Sequence, residues 1–112
     1  MYEYKVKEIL KVYDGDTITV MIDLGFGVQK KEKLRLALID APEVRGESRP
    51  EGLVSRDWLR QRLNDATKAG EDIIIRTFRD RKGKYGRYIA VIYINEVDIN
   101  LQMINEGHAI AY

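Results

Sequence analysis

The chain changes character within one segment, Arg35-Leu36-Ala37-Leu38-Ile39-Asp40-Ala41-Pro42-Glu43. The segment begins as an apolar strand that carries an arginine, and it ends in two acidic residues that flank an Ala-Pro pair. A strand that served burial alone would carry neither a guanidinium nor two carboxylates. The combination suits a site that holds a cation and an anionic group together, such as a metal and a phosphate.

Strand patterns dominate the sequence before this segment. Residues 4–13 alternate imperfectly, which is consistent with a strand that contains a bulge, and Asp14-Gly15-Asp16 is typical of a turn. Apolar and polar residues alternate over Thr17–Asp23 as in a half-buried strand. Leu24–Gly27 predicts a hairpin turn, and the polar residues after it lead into a third strand over Leu34–Ile39. Three such strands predict a meander.

The sequence after Pro42 predicts a loop, two helices and two further strands. Residues 44–52 read as an exposed loop, with Pro50 near the start of the first helix. An amphipathic helix is predicted over Leu53–Lys68, ending at Gly70. Two strands follow over Glu71–Phe78 and Tyr88–Ile94, separated by a charged loop over Arg79–Arg87. A short helix is predicted over Ile99–Asn105, between its cap Asp98 and Gly107. The order predicts an α+β, mainly β fold: a five-stranded OB-fold barrel with one helix between strands 3 and 4 and a short C-terminal helix, in a single domain over residues 1–112.

Composition limits the chemistry that the chain can carry. The absence of cysteine excludes disulfides and thiolate metal sites, and a single histidine excludes a multi-histidine zinc site. Any bound metal is therefore expected to be a hard ion such as Ca²⁺ or Mg²⁺. The net charge of +1 argues against passive coating of nucleic acid. It still allows a local site in which arginines lie beside metal-binding carboxylates.

Three short motifs carry a family resemblance: Asp14-Gly15-Asp16-Thr17, the segment from Arg35 to Glu43, and Lys84-Tyr85-Gly86-Arg87. Each is weak alone, but their order and spacing, with the helix between the second and third, are specific. From Val12 to Tyr112 the chain resembles the staphylococcal nuclease, or thermonuclease-like, family. The resemblance implies a Ca²⁺-dependent nuclease that cuts DNA and RNA with low sequence specificity, cleaving the 5′ P–O bond to leave 3′-phosphate products. The family continues past this tyrosine with another helix, so a minimal version of the domain is expected.

The metal ligands implied by the resemblance are Asp16, Asp40 and the carbonyl of Ala41. Taken singly, the two aspartates also fit a turn residue and a strand-end residue. The family usually has threonine where this chain has Ala41. Alanine keeps the carbonyl and loses the hydroxyl, so this departure concerns metal affinity rather than the existence of the site.

The catalytic residues implied by the resemblance are Glu43, which orients or deprotonates the attacking water, and two phosphate clamps, Arg35 and Arg87. Judged alone, Glu43 also fits a solvated loop residue, and Arg87 also fits a surface residue beside a strand. Arg35 is harder to explain in that way because it lies inside an apolar strand.

The substrate-binding residues implied by the resemblance are Lys84, Tyr85 and Tyr112, which supply a point charge for a terminal phosphate and rings for stacking. The alternatives are a loop aromatic at Tyr85 and a frayed C-terminus at Tyr112. The expected partners are DNA and RNA, with single strands or frayed duplexes favoured, and a monomer with no membrane contact is expected. No signal-like or membrane-spanning run is present, so a cytoplasmic or processed secreted protein is expected. The rival function is a non-catalytic OB barrel that binds nucleic acid or protein.

Strand geometry adds a condition that does not depend on the family. On a regular pleat, residues 35 and 40 face opposite sides and lie roughly 17 Å apart. Arg35 and Asp40 can then serve one phosphate only if the strand bends or bulges between them. The sequence therefore predicts a break in regular pleating near Leu38–Ala41.

Overall fold

The computed structural model describes residues 2–79 and 88–112. Within these ranges the chain forms a mainly β, OB-type barrel with two helices, as predicted. The elements are β1 (Tyr2–Asp14), β2 (Thr17–Asp23), β3 (Gln29–Leu36), β4 (Ile39–Asp40), α1 (Arg49–Lys68), β5 (Ile73–Arg79), β6 (Tyr88–Ile94), β7 (Val97–Asp98), α2 (Ile99–Asn105) and β8 (Ile110–Ala111).

The barrel closes because one edge of the meander pairs with the last long strand. Strands β1, β2 and β3 pair antiparallel, and the first residues of β1 also pair with β5. Strand β5 pairs with β6, whose first residues run parallel to the end of β3. The pairing register of β1 shifts at three places along β2, which confirms the expected bulge and lets β1 bend between its two partners.

Helix α1 begins four residues before the predicted start. Pro50 lies in its first turn, where a missing amide costs no hydrogen bond. The start of the helix and a short 3₁₀ turn over Gly46–Ser48 together replace most of the predicted loop. The helix buries Leu59, Leu63 and Ala66 in the barrel core. It packs mainly on β1.

The predicted break in the third strand is confirmed. Strand β3 starts at Gln29, earlier than predicted, and stops at Leu36. A turn follows, in which Leu38 has a φ of 65°. Ile39 and Asp40 then leave the barrel ladder and pair with β8. The prediction of one strand through Ile39 was wrong, because the chain turns at Ala37–Leu38.

A buried asparagine on α2 holds this turn. Asn100 donates from Nδ2 to the carbonyl oxygens of Ala37 at 2.9 Å and Ala90 at 3.0 Å, and its Oδ1 accepts from the amide of Ile92 at 3.1 Å. The side chain therefore replaces ladder hydrogen bonds where β3 departs from its neighbour β6. Asp98 accepts from the amide of Leu101 at 2.9 Å, which confirms it as the cap of α2.

The predicted charged loop over Arg79–Arg87 cannot be compared with the structure. Apart from its first residue, it lies outside the described residues. Among the described residues, no helix is long and apolar enough to cross a membrane.

Candidate active site

The Arg35 guanidinium joins two carboxylates that are far apart in the sequence. Its Nη1 lies 3.3 Å from Oδ2 of Asp16, and its Nη2 lies 3.5 Å from Oδ1 of Asp40. Nη1 also donates to the carbonyl oxygen of Leu36 at 3.0 Å. The side chain is only 17% exposed. The turn after β3 thus brings Asp40 to an arginine from which a regular strand would have separated it.

Asp16 is buried and already hydrogen-bonded. Its Oδ2 accepts from the amide of Ala41 at 2.8 Å, and its Oδ1 accepts from the hydroxyl of Thr17 at 3.0 Å. Burial raises the pKa of the Asp16 carboxyl above its usual value, and the neighbouring Asp14 side chain raises it further. The Ala41 amide and the Arg35 charge lower the pKa in part. Hydrogen bonds therefore fix the position of the Asp16 carboxylate. The Ala41 amide and Arg35 offset only part of the cost of burying its negative charge.

Small residues allow this turn to reach helix α1. A Cβ atom on Gly15 would lie 2.0 Å from Oγ of Ser55 and 2.8 Å from Cβ of Ala41. The Ser55 hydroxyl donates to the carbonyl oxygen of His108 at 2.7 Å, which ties α1 to the segment before β8. Any side chain at position 15 would push the Asp16 turn away from both neighbours.

The three predicted metal ligands are neighbours in space. Asp16 and Asp40 share Arg35, and the Ala41 amide binds Asp16. In the part of the chain that the structure describes, no group of three or more His, Cys, Asp or Glu side chains could hold a metal ion. The predicted donor set is two carboxylates and a backbone carbonyl, all oxygen, and such a set would suit Ca²⁺ better than a softer metal.

The predicted water-orienting residue, Glu43, follows Ala41 by two positions and is exposed to solvent. The Glu43 side chain is 65% exposed and pairs with Nε of Arg45 at 3.1 Å rather than with Arg35. Its backbone is held more firmly, because the Ser48 hydroxyl donates to the Glu43 carbonyl oxygen at 2.9 Å.

A glycine inside α1 sets the position of the Glu43 backbone. A Cβ atom on Gly52 would lie 2.2 Å from the Glu43 carbonyl oxygen and 2.9 Å from the amide nitrogen of Val44. The loop therefore packs directly on the first turn of the helix. Sequence analysis missed this role by placing Gly52 at the end of a loop; the available signal was a glycine beside a strong helical pattern.

Tyr112 lies beside the arginine. Its ring centroid is 5.8 Å from Cζ of Arg35, and its amide donates to the Leu38 carbonyl oxygen at 3.1 Å. The ring is 84% exposed and so faces solvent at the edge of the site. The other predicted residues, Lys84, Tyr85 and Arg87, lie outside the described residues.

Comparison with known proteins identifies the same family. The model of a family described as staphylococcal nuclease homologue matches residues 33–112, which include the turn after β3 and Tyr112. The chain belongs to the staphylococcal nuclease family. The N-terminal residues, including Asp16, lie outside this match.

Several curated proteins are similar over almost the whole chain. An uncharacterized endonuclease of Haemophilus influenzae is 35% identical over 93% of this chain and 51% of its own length. An endonuclease of Bacillus subtilis is 29% identical over 91% of this chain and 46% of its own length. A thermonuclease of Staphylococcus hyicus is 26% identical over 91% of this chain and 56% of its own length. The chain thus spans about half the length of these relatives.

Proposed function

We propose that this staphylococcal nuclease family domain hydrolyses phosphodiester bonds of nucleic acids. The observation that carries the proposal is the position of Arg35 between Asp16 and Asp40 across the break in β3. A structural ion pair would need one carboxylate. Two carboxylates beside one largely buried guanidinium suit a site that handles a metal ion and an anionic substrate together.

Arg35 is proposed to bind the scissile phosphate. A guanidinium carries five donors in a planar fork, and the described contacts use only some of them. The remaining donors can bind phosphoryl oxygens and stabilise the charge that develops on them. Arg87 is proposed as the second clamp, and Lys84 and Tyr85 as substrate-binding residues, on the family motif alone.

Ca²⁺ is the proposed metal, held by Asp16, Asp40 and the carbonyl of Ala41. The burial of Asp16 supports this assignment, because a nearby cation would favour the ionised form of its buried carboxyl. When bound, a divalent ion neutralises phosphate charge and lowers the pKa of a coordinated water. The hydroxyl that threonine would supply is missing at Ala41, and the carbonyl remains available.

Glu43 is proposed to orient or deprotonate the attacking water. Glu43 lines a surface depression of about 420 Å³ together with Tyr13, Asp14, Thr17 and Arg45. A solvent-filled depression supplies the water, and the Arg45 guanidinium keeps the carboxylate at its edge. Attack with cleavage of the 5′ P–O bond would leave a 3′-phosphate.

The proposed substrates are DNA and RNA, in single strands or at frayed duplex ends, cut with low sequence specificity. The exposed Tyr112 ring can stack on any base, and stacking discriminates poorly among bases. A single domain over residues 1–112 that acts as a monomer remains the proposed form of the active unit.

One experiment tests catalysis against simple binding. Single-stranded DNA is incubated with the protein in Ca²⁺ and in EDTA, beside Glu43→Gln and the matched variant Glu47→Gln, whose side chain is also exposed. We expect Ca²⁺-dependent cutting that falls by roughly 10²- to 10⁴-fold in Glu43→Gln, the range for loss of a general base. Glu47→Gln should cut like the wild type.

The other outcomes point elsewhere. Binding without cutting in any metal would favour the non-catalytic barrel. Equal cutting by Glu43→Gln would overturn the role of Glu43 and leave the nuclease proposal in place. Cutting in EDTA would remove Ca²⁺ from the mechanism.

A further inference from the structure

Two lysines gather on one tyrosine ring on the outer face of the barrel. The Nζ atoms of Lys11 and Lys33 lie 4.6 Å and 4.5 Å from the ring centroid of Tyr13. The Tyr13 hydroxyl is hydrogen-bonded to that of Thr19 at 3.0 Å. We call Lys11, Tyr13 and Lys33 the Tyr13 patch.

The strand register explains why these residues meet. On β2, Thr19 lies opposite Lys11 of β1 on one side and opposite Lys33 of β3 on the other. The Tyr13 ring lies near this row and is fixed by its hydroxyl. Three neighbouring strands thus present two ammonium groups at one place.

The Tyr13 patch lacks a negative partner within the described part of the chain. Neither Lys11 nor Lys33 belongs to any of the ion pairs found among the described residues. A hydrogen bond with Thr19 and the positive charges of Lys33, Lys11 and Lys31 lower the pKa of Tyr13. Asp14 and Glu43 line the adjoining depression, but neither forms an ion pair with Lys11 or Lys33 among the described residues. Two like charges held together without such a pair favour an anion from solution.

The Tyr13 patch is continuous with the candidate active site. Residues 33 and 35 on β3 point to the same side of the strand, about 6.6 Å apart. Tyr13 and Lys33 also line the depression that contains Glu43. An extended polyanion that reaches Arg35 therefore has the Tyr13 patch within its path.

We infer that the Tyr13 patch binds the phosphodiester backbone of a single-stranded nucleic acid next to the bond that is cut. This inference rests on the proposed nuclease function. Lys11 and Lys33 contact phosphate oxygens, and Tyr13 is a positioning residue that holds the two ammonium groups together. The patch extends the site from one phosphate to a short track along β3.

The test measures binding in EDTA, where the proposed metal-dependent cutting is absent, and cutting in Ca²⁺ beside it. Oligothymidylates of two and about ten nucleotides are used, since OB folds cover about 4–16 nucleotides. The variants are Lys11→Gln/Lys33→Gln, and the charge-matched control Lys5→Gln/Lys68→Gln, which removes two exposed lysines elsewhere. Tyr13→Leu and Tyr13→Phe test the positioning role.

We expect Lys11→Gln/Lys33→Gln to weaken binding of the longer oligonucleotide by about tenfold and to lower the slope of log K against log salt by about 0.7 for each lost phosphate contact. The dinucleotide should lose far less affinity. Tyr13→Leu should weaken binding of the longer oligonucleotide, and Tyr13→Phe, which keeps the ring, should restore most of it. The control should match the wild type.

Two results would overturn the inference in different ways. A wild type that cuts DNA, with Lys11→Gln/Lys33→Gln binding both oligonucleotides like the control, would remove the Tyr13 patch and leave the nuclease proposal. A wild type that neither binds nor cuts would overturn the proposed function, and the inference would fall with it.

Discussion

The candidate active site has an inner half and an outer half that are held in different ways. The inner half, Asp16 and Arg35, belongs to the barrel: both side chains are largely buried, and Thr17 on β2 pairs with Arg35 on β3. The outer half, Asp40, Glu43 and Tyr112, has side chains that are half or more exposed. Its support is the short pairing of β4 with β8 and the contact with Gly52.

The inner half is held rigidly, whereas the outer half is accessible to solvent. Long antiparallel ladders fix the inner groups, which must keep their geometry in a low-dielectric setting. In the proposed function the outer groups would have to reach water and a polymer, so burial could not hold them, and a few backbone hydrogen bonds and one close packing contact do so instead. The residues proposed to meet the substrate therefore depend on weak local supports.

Among the changes that compare the two halves, the largest effect is expected where one residue contacts both of them. In Arg35→Lys, the ammonium is a compact point charge and cannot reproduce the fork that meets Asp16 and Asp40. We expect kcat/KM on single-stranded DNA to fall by about 10²- to 10³-fold, as when an oxyanion-stabilising donor is lost.

The control for this change is Arg56→Lys, an arginine with a similarly covered side chain that pairs with Asp57 on α1. Thermal unfolding measured for both variants separates a folding defect from a catalytic one. If Arg35→Lys stays active, the two halves do not depend on a shared guanidinium.

The next effect concerns the support of the outer half. In Gly52→Ala the new methyl group would meet the Glu43 carbonyl oxygen at 2.2 Å, so the loop must move. A displacement of about 1 Å at a catalytic group can cost about 10²-fold in rate. We expect kcat to fall by about that factor in Ca²⁺, and Val54→Ala, at an exposed position of the same helix, serves as control. Full activity of Gly52→Ala would show that α1 does not position Glu43.

A smaller effect is expected for Tyr112→Ala. The ring is exposed and its backbone bonds remain, so stability should change little. Loss of one stacked base costs about 1–3 kcal/mol, which corresponds to roughly a 30-fold loss of affinity at the middle of that range. Fluorescence anisotropy with an oligothymidylate measures it, beside Tyr2→Ala, another exposed tyrosine. Unchanged binding would exclude Tyr112 from the substrate path.

The smallest expected effect is a difference in folding stability between an inner-half variant and an outer-half variant. Because the pKa of Asp16 is raised in the folded state, ionisation destabilises the fold: wild-type stability is greatest below the unfolded pKa and declines as pH rises through the folded pKa. In EDTA at neutral pH, Asp16→Asn should raise the free energy of unfolding by about 0.5–2 kcal/mol, as when a functional site is relieved of strain. The gain should shrink as pH falls.

Asp40→Asn is the matched outer-half variant, and its half-exposed carboxylate should give no such gain. Added Ca²⁺ should raise the Tm of the wild type and not that of Asp16→Asn. A lower stability of Asp16→Asn at every pH would mean that its ion pair with Arg35 outweighs the cost of burial.

Local pattern was enough to predict most of the fold. Alternation predicted β2 over Thr17–Asp23, and the cap residue Asp98 predicted α2 over Ile99–Asn105. The break in β3 followed from the length of a pleated strand and the need to join Arg35 to Asp40. These predictions succeeded because each rests on a periodicity or a distance within a few residues.

The supports of the site could not be predicted in this way. Asn100 lies 63 residues from Ala37, and Ser55 lies 53 residues from His108, so neither hydrogen bond has a local signature. The pairing of β4 with β8 joins two strands of two residues each, which are too short to show alternation. The ion pair of Glu43 with Arg45 was not predicted, because the rotamers of exposed side chains depend on the neighbours that the folded surface provides.

The sequence by itself determined the long strands and the helices, their order and the residue types of the candidate site, because periodicity, turn chemistry and charge within an apolar strand are local properties. Only the tertiary structure decided that Arg35 meets Asp16 and Asp40, that Tyr112 lies beside them and that Lys11 and Lys33 share one ring. The physical reason is barrel closure. It brings segments that are distant in the sequence to one end of the sheet, and no local sequence pattern indicates those contacts.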